Sequence, residues 1–159
     1  MTRKNQKGMG LIEIILVVGI ISASFFAIGQ LGFMSMKASK DRSDKVRALA
    51  VAQEGMEAVR TVRDAGWTDN IATLSFGSAY YVATSSGQWL LTVTDPGLIA
   101  NTYARTVVID NVSRDINDDI TAVGGTDDPG TKKVTTMVTW GNPAKTLQLV
   151  TYITNILKN

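Results

Sequence analysis

The sequence has no cysteine, no histidine and only three prolines in 159 residues. Without cysteine there is no disulfide framework, and redox compartment cannot be read from pairing. Without histidine the commonest general base and the commonest metal ligand are both missing. No glycine-rich loop precedes a helix to cradle a phosphate, and no serine sits in a nucleophile elbow. The residues therefore point away from an enzyme, and they imply no cofactor. Charge of one sign is also lacking. Of 16 basic side chains, Arg3, Lys4 and Lys7 precede Met9, which leaves 13 against 14 acidic ones, a net of −1. That balance gives no strongly basic face for nucleic acid. What remains is one domain's worth of chain with 45% hydrophobic content, ordinary for a protein that buries a core.

The apolar content is concentrated at one end. Residues 9–36, MGLIEIILVVGIISASFFAIGQLGFMSM, are broken only by Glu13, three serines and Gln30. The run exceeds the roughly 20 residues that span a bilayer as a helix. A secretory signal would have an apolar core of about 7 to 15 residues with its cleavage site at the far end. Read without Glu13 and Gly8, the segment is a plain signal anchor, and that alternative predicts an N-terminus that stays attached. Glu13 is what it leaves unexplained, because an acid inside a bilayer costs about 2.5 to 3.5 kcal/mol near its centre unless paired.

The stretch KGMGLIEIILVVGI, residues 7–20, resembles the processing site of type IV pilins and type II secretion pseudopilins. In both there is a short basic leader, a glycine, a cleavage point, and a glutamate five residues beyond it. The resemblance implies a leader over 1–8, cleavage between Gly8 and Met9 by a prepilin peptidase, and N-methylation at Met9. It gives Glu13 a role in subunit assembly, as counter-ion to the Met9 amine of a neighbouring subunit. It implies a single-pass protein of the cytoplasmic (inner) membrane before assembly and an extracellular or periplasmic filament afterwards. The implied partners are the peptidase, other pilin subunits, the assembly platform and the membrane. The leading expectation is a structural subunit of a type IV pilus-like filament, minor rather than major; a pseudopilin of a secretion or DNA-uptake system, or a minor or tip subunit whose head binds DNA, a surface or a secreted protein, is the alternative. Charge counting leaves orientation undecided, since Lys37, Lys40, Arg42, Lys45 and Arg47 rival the leader.

Past the apolar run, residues 37–63 hold no proline, one glycine, and a stripe of Ala48, Leu49, Ala52, Met56, Val59 and Val62 at helical spacing. One helix is expected from 9 to about 63, roughly 80 Å at 1.5 Å per residue. It comprises a filament-core half over 9–36 and an amphipathic half over 37–66. Glu54, Glu57, Arg60 and Arg63 should face away from the core. Gly29 and Gly32 mark a weak point, at about 1 kcal/mol each relative to alanine. Asp64, Gly66 and Trp67 should close the helix and open a loop.

Over 67–159 the period becomes that of strands. Residues 80–83, 88–93, 103–112, 132–140 and 146–153 are rich in β-branched and aromatic side chains between Gly, Asn, Asp and Pro clusters. KKVTTMVTW, GNPA and TLQLVTYIT read as a hairpin. The expected class is α+β: one long N-terminal helix packed on an antiparallel sheet head, the architecture that the pilin resemblance also implies.

Two features of the head invite chemistry. Asp115, Asn117, Asp118, Asp119, Asp127 and Asp128 could offer oxygens to calcium, and 115–119 open like an EF-hand. Ile120 stands where that loop needs glycine and Thr126 where it needs glutamate, so an EF-hand is excluded, a solvated turn-rich loop is expected, and no metal site is assigned. Lys132 and Lys133, with Arg105 and Arg114, could meet phosphate beside Tyr80, Tyr81, Trp89 and Tyr103. The expectation is instead a charged strand end beside core aromatics, with no specific nucleic-acid binding.

Overall fold

The computed structural model describes residues 10–157. Helix α1 (Leu11–Ala65) is followed by a single turn, α2 (Trp67–Asn70), and then by six strands. These are β1 (Ala79–Ser85), β2 (Gln88–Thr92), β3 (Ala104–Arg114), β4 (Ile120–Thr121), β5 (Thr126–Trp140) and β6 (Lys145–Thr154). The sheet is antiparallel, in the order β2-β1-β3-β5-β6, with β4 paired to β3. The class is α+β, as the two periodicities predict.

The chain divides into two units, one up to Asp44 and one from Lys45. In the first, residues 11–43 are exposed throughout, and all are helical. Continuous helix is what an apolar segment without proline should form where water is excluded, because each backbone N–H then finds its carbonyl within the segment. Among the described residues this is the one helix long and apolar enough to cross a membrane. The helix passes through Gly29 and Gly32 without a break.

In the second unit, α1 lays Ala48, Ala52, Gly55, Met56, Ala58, Val59 and Val62 on the sheet. The sheet answers by alternation. Val107 and Ile109 of β3, Val134, Thr136 and Val138 of β5, and Ile153 of β6 are almost fully buried on the helix side. Burying each such aliphatic side chain contributes about 1.5–3 kcal/mol. A second cluster joins Ala48 and Ala52 to Tyr103, Val138 and Trp140, the two rings 6.3 Å apart and tilted by 47°. Small alanines there let the helix approach the bulky rings.

Several local expectations need correction. Leu49, assigned to the buried stripe, is 36% exposed, whereas Gly55 and Ala58 are buried in its place. Arg63 does not face away, since its side chain is only 17% exposed and lies along Asp64. Trp67 does not open a loop but starts α2 and buries its ring in the main core cluster. Residues 126–131 and 120–121 are strand rather than solvated loop. Pro129, which argues against a strand in sequence, is accommodated because the β3–β5 register jumps there. Asn111 pairs with Lys132 and Val112 with Asp128, so 129–131 have no partner on β3, while Thr131 stays paired with Thr154 of β6.

Candidate functional site

The implied cleavage and methylation positions, Gly8 and Met9, lie outside the described residues. Glu13 is within them. It stands in the first turn of α1, where its N–H donates to the Gly10 carbonyl at 2.9 Å. An acid near a helix N-terminus is favoured by the macrodipole. Its surroundings are otherwise apolar and open: Leu11, Ile12, Ile14, Ile15 and Leu16 are all more than half exposed. Going toward the head, the next ionisable residue is Lys37. At 1.5 Å per residue it is about 36 Å further along the helix. No cation of that stretch reaches Glu13 from within its own helix. Polar groups in between are few, and Ser24 satisfies its hydroxyl by donating to the Ile20 carbonyl one turn back at 2.8 Å.

In the head, two carboxylates of the Asp-rich segment, Asp115 and Asp128, are engaged by local donors. The Asp115 carboxylate accepts from the N–H groups of Asn117 (2.8 Å) and Asp119 (3.0 Å). Arg114 donates from Nε to Asp128 at 2.7 Å, from one amino group to the Asp118 carbonyl at 2.7 Å, and from the other to the Thr131 hydroxyl at 3.3 Å. The other oxygen of Asp128 accepts from Gly130 N–H at 2.9 Å. The hydrogen bond from Arg114, and then that from Thr131, hold the Asp128 carboxyl below its usual range, and Asp128 in turn raises the Arg114 guanidinium. Gly125 tucks under this turn at φ +85°, and a Cβ there would stand 2.4 Å from the Arg114 carbonyl oxygen. Among the described residues, no three acidic side chains converge as metal ligands would.

The four basic residues considered together in the sequence are dispersed. Neighbours on a strand point to opposite faces. Lys132 turns to the helix side and is 4% exposed, with its ammonium 4.2 Å from the Phe76 ring centre and donating to Asn111 Oδ1 at 2.8 Å. Lys133 turns outward and pairs with Asp110 across the ladder at 3.3 Å. Arg105 is buried under α1, and Arg114 is bound to Asp128. Tyr80 and Tyr103 are core residues, and the Tyr80 hydroxyl accepts from the Ser75 N–H at 2.8 Å.

The sequence reading missed the contact of Arg105 with α1. Its guanidinium donates to the Val51 carbonyl (3.0 Å) and to Glu54 (3.1 Å). Two signals carried it: Arg105 shares its alternation with inward Val107 and Ile109, and Gly55 interrupts the buried stripe of α1.

Comparison of the chain with protein-family models, with curated proteins and with solved structures finds no match.

Proposed function

We propose that the protein is a type IV pilin-like filament subunit. It is held in the cytoplasmic membrane by residues 9–36, cut between Gly8 and Met9, N-methylated at Met9, and assembled with copies or relatives of itself through its apolar helix. Its part is structural, and the chemistry of cleavage and methylation is done to it by the peptidase. The observation that carries the reading is the make-up of α1. One continuous helix has an exposed apolar half interrupted by a single carboxylate, Glu13, and a second half whose stripe closes an antiparallel sheet. A membrane anchor alone needs the apolar half but not the acid, which costs free energy in a bilayer. A bundle of staggered helices, each with a newly made amine at Met9, gives that acid a partner.

The test is the mass of the N-terminus in membranes from cells that also hold a prepilin peptidase. The expected species begins at Met9 and carries one added methyl group, and Gly8→Val leaves the chain inserted but uncut. A parent chain that keeps residues 1–8 under those conditions would return the protein to the plain signal anchors.

A further inference from the structure

Immediately beyond the apolar half, α1 carries Lys37, Lys40, Arg42, Lys45 and Arg47 against only Asp41 and Asp44. The five basic residues are all exposed, and they follow Met36, itself 73% exposed, without a break in the helix. Their bearings around the helix axis decide what they can meet. At 3.6 residues per turn they leave no arc wider than about 140° free of positive charge, whereas the two acids lie only about 60° apart on one side. A protein partner approaches a helix from one side and selects a stripe. A layer that surrounds the helix selects a ring.

We infer that Lys37, Lys40, Arg42, Lys45 and Arg47 form a collar that binds the phosphates of anionic phospholipids on the head side of the membrane. The inference rests on residues 11–36 spanning the bilayer and extends that reading to the lipid recognised. Heights along the helix agree. Headgroup and interfacial regions add about 5 to 7 Å on each side of the hydrocarbon, and Lys37 to Arg42 climb about 7.5 Å. Lys45 and Arg47 stand further out but within the roughly 8 Å over which charge is felt at physiological salt. Lysine and arginine stems lie along apolar surface while their heads stay in water, so Lys37 and Lys40 can follow the last apolar turn and present their charges to phosphate. By pairing with a lipid surface the collar fixes the depth of the span, and it adds an electrostatic attraction that must be broken when the subunit leaves the membrane.

The experiment uses the full chain in phosphatidylcholine vesicles doped with spin-labelled phosphatidylglycerol or spin-labelled phosphatidylcholine. The fraction of motionally restricted label is measured at low and high salt. At low salt the parent should restrict phosphatidylglycerol several-fold more than phosphatidylcholine, and salt should erode the preference. With all five residues changed to glutamine the two lipids should become equal, with helix content unchanged by circular dichroism. Changing the three lysines to arginine should keep the preference. Parity of the two lipids in the parent, or a preference that survives the five glutamines, overturns the collar. If instead the parent self-associates at low salt through a contact abolished by Asp118→Lys with Asp119→Lys, and shows no lipid preference, the partner is a second copy and the lipid inference falls. None of these readouts depends on cleavage at Gly8 or on filament assembly, so the two readings fail separately.

Discussion

Arg105 reaches Glu54 across the surface of Gly55, which gives the packed half of α1 and strand β3 a charged contact at the margin of the apolar layer. The Arg105 side chain is 5% exposed, while Glu54 is half exposed and keeps much of its hydration. The buried end of the pair is therefore the costly one to disturb. A Cβ at position 55 would come within 2.9 Å of Arg105 Cδ and 3.0 Å of Thr136 Cγ2.

Gly55→Ala is the first variant to make. Alanine favours a helix by about 1 kcal/mol over glycine. Here it meets an arginine pinned at its far end by Val51 and Glu54, and a threonine whose β-branched side chain is stiff. Overpacking of a well-filled core costs about 1–3 kcal/mol. We expect a net loss of stability, read as a lower urea midpoint for the detergent-solubilised chain. Gly29→Ala, in open space, should show none.

Thr136→Val should act in the opposite direction. The Thr136 hydroxyl is buried without a hydrogen-bond partner, and valine has the same shape. Burying an unsatisfied polar group costs about 1–3 kcal/mol, so its removal should raise the same urea midpoint. An unchanged or lowered midpoint would show that the hydroxyl is satisfied in solution.

The Asp128–Arg114 pair sets a pH dependence with a definite sign. Arg114 holds the folded-state Asp128 carboxyl below its unfolded value of about 3.9. Its contribution is therefore complete above that pH and is lost as the pH falls through the lower folded value. Arg114 is raised, so its own contribution disappears only at extreme alkaline pH. Urea midpoints measured from pH 6 downward should drop more steeply for the parent than for Asp128→Asn, with the difference arising below about pH 4. Parallel curves would remove the pair from the stability of the head.

Glu13→Leu should leave cleavage intact and sharply reduce recovery in sheared filaments. In the membrane, the loss of an acid with no cation along its own helix up to Lys37 is neutral or mildly stabilising. In the proposed filament bundle it would strand the amine assigned to a neighbouring subunit, and removing one partner of a buried pair costs about 3 to 5 kcal/mol. Quantifying cleaved protein in the membrane and filament fractions checks this. Equal incorporation would dismiss the role assigned to Glu13 and leave the cleavage site untouched.

Much of the architecture was legible because it is written in local periods. The apolar run and the 3.6-residue stripe announce α1, and the alternation of Val134, Thr136, Val138 and Trp140 announces β5. What escaped depends on register between distant strands. That Lys132 is buried over Phe76 while Lys133 is not follows from which of two adjacent residues faces the helix. A cluster of Asp, Pro and Gly reads as turn, but pairing with β3, interrupted by a bulge at 129–131, places 126–131 in strand β5. Glu13 lies at the other extreme: its oddity within an apolar run is visible at once, while the next ionisable residue toward the head is Lys37.

The order of elements along the chain also shapes how the head comes to fold. Val59 of α1 and Val134 of β5 belong to one core cluster although 75 residues separate them, and Ile153 of β6 joins the same cluster. Contacts of such long sequence separation form late, because loop closure must precede any gain from packing. During synthesis the stripe of α1 therefore emerges well before the strands that cover it. Until β5 and β6 arrive, Met56, Val59 and Val62 offer an uncovered apolar surface to chaperones or to other nascent chains. Truncation before β5 would remove both Val134 and Ile153 from that cover. The hazard for the head lies in the interval between making its helix and completing its sheet.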